Sequence, residues 1–132
     1  MGRWKRCVRF FGALAALAVL LAGCGQGYKN ITAAEARKIM EEESEYMIVD
    51  VRTEEEYEEK HIPGAVLVPS EDIKAGELDA LPDKEETLLV YCYAGRRAED
   101  CASILAKNGY KHVYNFGGIL DWDGETVTGE AG

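Results

Sequence analysis

Thr87-Leu88-Leu89-Val90-Tyr91-Cys92-Tyr93-Ala94-Gly95-Arg96-Arg97 runs from an apolar, β-favouring segment straight into a short loop that holds one glycine and two arginines. Immediately after it, Ala98, Cys101, Ala102 and Leu105 fall at i, i+3, i+4 and i+7, which predicts a helix with one apolar face. Gly109 supplies its C-terminal stop. A continuous apolar run of this kind suits a strand buried on both faces, as in a parallel sheet. In such sheets the functional crevice lies beyond the carboxyl ends of the strands, which is where Cys92 falls.

The same pattern repeats outward in both directions. Thr32-Ala33-Ala34-Glu35 has capping-box spacing and opens a helix to about Glu43, and Met47–Val51 reads as a second buried strand. Thr53 and Glu56 repeat the capping box before a charged helix to Lys60, whose acids are expected to form a solvated face. His61-Ile62-Pro63-Gly64 breaks the chain, and Ala65–Val68 is expected to be a buried strand ended by Pro69. Residues 70–86 predict a short helix anchored by Leu78 and Leu81. His112–Phe116 is a last strand, with Gly117-Gly118 and a short closing helix Ile119–Trp122 behind it. Strands alternating with helices imply an α/β fold. The expectation is a three-layer sandwich, a mostly parallel sheet of about five strands with helices on both faces. The domain spans 31–122, and 123–132 reads as a flexible tail with only Val127 to bury.

With 132 residues, 47% of them apolar, the chain has room for one domain with its own core. Its net charge of −9 hides an asymmetry, because residues 1–23 carry Arg3, Lys5, Arg6 and Arg9 and no acid. Without them the remainder holds 11 basic and 24 acidic residues, a net of −13, which argues against nucleic acid as a partner. The basic start precedes an apolar run from Phe10 to Ala22, too short for a typical membrane span but suited to a signal-peptide core. Leu21-Ala22-Gly23-Cys24 resembles the bacterial lipobox. That resemblance implies that 1–23 is a lipoprotein signal peptide, Cys24 the lipidated first residue and 24–30 a tether to the extracytoplasmic face of the cell membrane. An uncleaved N-terminal anchor is the alternative. Cys92 and Cys101 then remain in the domain; with no C-x-x-C pair and no His/Cys cluster, neither a metal nor another cofactor is implied.

Cys92 precedes a helix, where unpaired backbone N–H groups and the positive end of the macrodipole favour a thiolate or an anion. Arg96 and Arg97 add positive charge beside it. Cys101 lies in the apolar stripe and reads as core, which speaks against a disulfide between the two. Asp50 and Arg52 read as a structural ion pair or loop brace, and His61 as a residue that holds the turn before Pro63 by a backbone hydrogen bond. His112 is expected at the surface.

Asp50-Val51-Arg52, Glu56-Tyr57 leading into His61-Ile62-Pro63-Gly64-Ala65, Cys92-x-x-Gly95-x-Arg97, Gly109-Tyr110, and Gly117-Gly118 with Trp122 together resemble the single-domain rhodanese-like sulfurtransferase family in order and spacing. Lys60 departs from the pattern, since the family usually has Gly before the His. The resemblance implies a persulfide mechanism. Cys92 would take the outer sulfur of thiosulfate or a similar small anionic donor, and the amides of Tyr93, Ala94, Gly95, Arg96 and Arg97 would cradle the product. A thiol or cyanide-like acceptor would then remove that sulfur. Arg97 is assigned to the anion or to loop ordering, and Arg96 to recruitment from outside. A redox protein partner is implied if the persulfide is held outside the cytoplasm. Two other readings compete. A phosphatase of the same architecture uses Cys-x5-Arg, whereas the spacing here is Cys92-x4-Arg97. A non-catalytic binding module would present the acidic surface to another protein.

Overall fold

The computed structural model describes residues 27–130. Five strands form one sheet: β1 (Tyr28–Asn30), β2 (Tyr46–Asp50), β3 (Val66–Leu67), β4 (Thr87–Cys92) and β5 (His112–Gly118). Their order is β1-β5-β4-β2-β3, and every adjacent pair is parallel. Four helices connect them: α1 (Ala33–Glu42), α2 (Glu54–Glu59), α3 (Ser70–Ala75) and α4 (Arg96–Lys107). A 3₁₀ turn, Ile119–Asp121, follows β5.

Side chains alternate across the pleat and so build two cores. Val49, Leu88, Val90 and Cys92 pack with Ile73 of α3 and with Ala98, Cys101, Ala102 and Leu105 of α4. Ile48, Leu89 and Tyr91 face the other way, onto Ala36 of α1, Tyr57 of α2, Phe116 and Ile119. This is the expected α/β sandwich, with helices on both faces of the sheet. Both capping boxes form: Thr32 accepts from the Glu35 amide and Thr53 from the Glu56 amide, while each glutamate reaches back to its threonine's N–H.

Four local expectations change. Tyr28–Asn30, which the sequence assigns to the tether, is an edge strand paired with Val113–Asn115. Backbone hydrogen bonds, the half-buried Tyr28 and the Asn115 side-chain amide, which donates to Asn30 Oδ1 at 2.9 Å, hold this three-residue run, too short for periodicity to reveal. Cys7, Cys24 and the signal-peptide and tether residues 1–26 lie outside the described residues. Strand β3 is two half-buried residues at the opposite edge, shorter and more exposed than Ala65–Val68 suggests. The helix expected around Leu78 and Leu81 lies earlier, at Ser70–Ala75, and stops at Gly76, whose φ of 80° is left-handed. Leu81 is still buried, anchored from a turn, and its carbonyl accepts from the Tyr110 hydroxyl.

The stretch 123–130 is held by more partners than a frayed tail would have. His61 and Val127 exchange both backbone hydrogen bonds at 2.8 Å, and the Gly129 amide donates to the Glu58 carbonyl at 3.0 Å. Trp122 Nε1 also donates to the Glu125 carbonyl at 3.0 Å. Residues 131 and 132 lie outside the described residues.

Candidate active site

Strand β4 ends at Cys92 and α4 begins at Arg96, so the reversal is made by Tyr93, Ala94 and Gly95 alone. Gly95 adopts φ 112°, a left-handed conformation that other residues rarely take, and it directs its own N–H back onto Cys92 Sγ at 3.0 Å. The amides of Arg96, Arg97 and Ala98 come next. As the first turn of α4 they have no preceding carbonyl within the helix, and Gly95 offers no side-chain cap for them. Cys92 itself is only 1% exposed, its sulfur at the floor of the loop rather than at an open rim. Of the five amides expected to cradle it, Gly95 is the one that bonds the bare thiol.

The loop rests on the end of β5. The β4–β5 register slips between Val90 and Cys92, so that Cys92 faces Gly118 across a bulge. Gly117, at φ 92°, makes that bulge, and its N–H donates to Asn115 Oδ1 at 3.0 Å. Gly118 is needed for a different reason: a Cβ there would overlap the Tyr93 carbonyl and the Ala94 amide. The Leu120 amide donates to that same carbonyl at 3.2 Å, fastening the loop to the 3₁₀ turn.

Beneath the loop, Asp50 and Arg52 form the brace expected from sequence, fully out of water. Arg52 Nη2 and Nε donate to Asp50 at 2.8 and 3.0 Å, and the Arg52 amide donates to Oδ1 at 3.0 Å. Asp50 Oδ2 also accepts from the Tyr91 hydroxyl at 2.6 Å, and that hydroxyl accepts from the Ile62 amide at 3.1 Å. Burial first, then the Asp50 charge, pushes the Tyr91 phenol far above its ordinary range, so it stays a donor. Arg52 Nη2 reaches the Lys60 carbonyl at 2.7 Å. Lys60 has φ −172°, extended backbone open to any residue, which is why the usual glycine is dispensable at this position. His61 Nδ1 lies 2.8 Å from the Tyr57 carbonyl and its ring stacks on Tyr57 at 3.6 Å, so it secures the end of α2 as much as the turn.

The two loop arginines separate. Arg96 is exposed and points outward. Arg97 turns to Glu56, making two hydrogen bonds of 2.8 and 3.0 Å. The Arg97 contact holds the Glu56 carboxyl down to about 2 against a smaller upward push from burial, so the pair is ionised at neutral pH. Arg97 thus orders the loop. Glu56 is no solvated acid, as the charged run 54–59 had suggested. Its side chain is 29% exposed, and it joins the cap of α2 to the loop of Cys92. Two positions marked in the sequence only for other reasons, Glu56 as a helix cap and Gly118 in a doubled glycine, take roles at this site. The doubled glycine after β5 was a visible signal, but nothing in a run of acids marks the one that finds an arginine.

Cys101 lies in the core and is fully buried, and burial pushes its thiol up to about 11. Both Cys92 and Cys101 are free thiols. His112 is exposed at the amino end of β5.

The profile of the rhodanese-like domain matches residues 32–125. A thiosulfate sulfurtransferase of Escherichia coli, PspE, is 42% identical over 73 residues, covering 55% of this chain and 70% of its own length. The thiosulfate sulfurtransferase GlpE of Coxiella burnetii is 35% identical over 105 residues, covering 79% of this chain and 95% of its own. Among solved structures, a rhodanese with anions from E. coli superposes with a TM-score of 0.59 at 39% identity, over 64% of this chain and 99% of that one. A rhodanese-like domain protein from Staphylococcus aureus gives 0.65 at 34% identity, over 74% of this chain and 93% of its own. The Cys92 loop, its glycine seat and the buried brace beneath it therefore sit in a chain that belongs to the rhodanese-like domain family.

Proposed function

We propose that this chain is a sulfurtransferase that carries sulfane sulfur as a persulfide on Cys92. Support comes above all from the Gly95 amide, 3.0 Å from Cys92 Sγ, at the start of a twelve-residue helix whose first amides have no partner within it. In the first half-reaction the Cys92 thiolate attacks the outer sulfur of thiosulfate or a similar anion. The donor's S–S bond breaks, its electron pair leaves on sulfite, and Cys92–S–S⁻ remains, which takes a proton from water to give Cys92–S–SH. The amides of the loop, from Tyr93 to Arg97, would hold the transferred sulfur, with Gly95 already on Cys92 Sγ, Arg97 as the strut that fixes their direction and Arg96 as the charge that draws donors in. A thiol or cyanide-like acceptor then removes the sulfur.

In this reading, residues 1–23 are removed and a lipidated Cys24 anchors the protein to the extracytoplasmic face of the cell membrane. Only Gly25, Gln26 and Gly27 separate Cys24 from β1. At about 3.3–3.6 Å per residue the domain would stay within roughly 15 Å of the lipid surface. Outside the cytoplasm the persulfide cycle would draw on a reducing protein partner.

Incubating the full chain with thiosulfate should add the mass of one sulfur atom to Cys92 and, with cyanide present, yield thiocyanate. Cys92→Ala should lose both signals, with turnover down by at least about 10³-fold. Thiocyanate formation that persists in Cys92→Ala would remove the assignment. Cys24→Ser should release the chain from membranes, and its retention there would favour the uncleaved anchor.

A further inference from the structure

Beside the Cys92 loop opens a cleft of about 350 Å³, far more than thiosulfate fills and at the lower end of the range for small organic ligands. One wall is apolar, made by Tyr93, Ile119, Leu120 and Trp122. Tyr93 and Leu120 are the large hydrophobic residues most open to solvent among the described residues, at 47% and 60%, and both belong to this wall. The rest of the wall is charged, carrying Arg52, Glu56, Glu59 and Lys60.

The charges on that wall are not equivalent. Glu56 is committed to Arg97. Arg52 is 3% exposed and gives Nε and Nη2 to Asp50 and the Lys60 carbonyl. Its Nη1 has no hydrogen-bond partner among the described residues and lies on the guanidinium edge turned away from Asp50. A buried donor without a partner is costly unless a ligand or water meets it. Lys60, which stands where the family pattern has glycine, brings an ammonium with no ion-pair partner among the described residues. Glu59 sets the limit on the other side, because a second negative charge on the ligand would meet its carboxylate.

We infer that this cleft binds the sulfur acceptor, and that the acceptor is a small organic thiol with an apolar body and a single anionic group. The body lies on Tyr93, Leu120 and Trp122, and the anion on Lys60 and Arg52 Nη1. The inference rests on the sulfur-transfer reading of Cys92. In the step it serves, the acceptor's thiolate sulfur attacks the outer sulfur of Cys92–S–SH and a new S–S bond forms. The bond from that outer sulfur to Cys92 Sγ breaks, its electron pair stays on Sγ, and the proton travels with the transferred sulfur. One persulfide replaces another, with no external oxidant or reductant.

Binding can be read without chemistry in the full chain carrying Cys92→Ser, by calorimetric titration with para-sulfanylbenzoate and with its uncharged amide, para-sulfanylbenzamide. The carboxylate should bind about tenfold more tightly than the amide, as expected for hydrogen bonds to a charged group. Adding Lys60→Gln, which keeps the backbone carbonyl that Arg52 uses, should erase most of that preference. Leu120→Ser should weaken both probes by about threefold to tenfold. Equal affinity for the two probes, or a preference that survives Lys60→Gln, overturns the inference. Should thiosulfate fail to load Cys92 in the parent chain, the sulfur-transfer reading falls instead, and that result is separate from the titration.

Discussion

Cys92 and Cys101 stand at the two ends of one short stretch, on the same face of the sheet, and are 1% and 0% exposed. Solvent access does not tell them apart. What differs is the backbone around each sulfur. Cys92 lies where a strand has ended and a helix has just begun, so an amide donates to it and more amides wait beyond. Cys101 lies in the second turn of the same helix, where the backbone is already paired with itself, and burial raises its thiol to about 11. The two sulfurs are distinguished by the backbone amides around them, not by exposure.

The comparison breaks most severely if the backbone at Cys92 is moved. Gly118→Ala places a methyl group where the Tyr93 carbonyl lies, so the loop must shift while the core stays filled. Persulfide formation should fall by about 100-fold, measured in a thiosulfate–cyanide assay, with circular dichroism close to the parent. Parent-level activity would show that the loop needs no such seat. Next comes the brace. Asp50→Ala leaves Arg52 buried without its carboxylate and takes the acceptor from the Tyr91 hydroxyl. Urea unfolding should show a loss of about 3–5 kcal/mol, and a loss below about 1 kcal/mol would mean that water enters and replaces the carboxylate. The smallest effect belongs to Cys101. Cys101→Ala should cost about 1 kcal/mol and leave sulfur transfer at the parent rate. In the parent, iodoacetamide should spare Cys101 at pH 8, because its thiol is fully buried and burial raises it to about 11. Labelling of Cys101 at pH 8 would erase the contrast between the two sulfurs.

How much of this was legible depended on how local the signal was. The i, i+3, i+4, i+7 stripe placed Cys101 in the core because helix geometry alone decides which residues share a face. Both capping boxes were visible because each closes within four residues. Asp50 and Arg52, two apart, were recognised as a brace for the same reason. Glu56 and Arg97 are 41 residues apart, and the capping box that singles out Glu56 locally says nothing of the arginine it meets. Val127 looked like a lone apolar residue in a polar tail, until its strand-like pairing with His61 came from the far end of the domain.

The sequence by itself determined the alternation of strand and helix, the two-sided burial of β4 and the position of Cys92 at a strand's carboxyl end. Each follows from side-chain periodicity and from residues that end a strand or start a helix. Only the tertiary structure decided that the sulfur lies at the floor of its loop, that Arg97 is given to Glu56, that β1 and 123–130 are paired segments, and that Lys60 and Arg52 line one cleft with Tyr93. These depend on which distant backbones meet, and a one-dimensional pattern carries no information about contacts between segments it does not bring together.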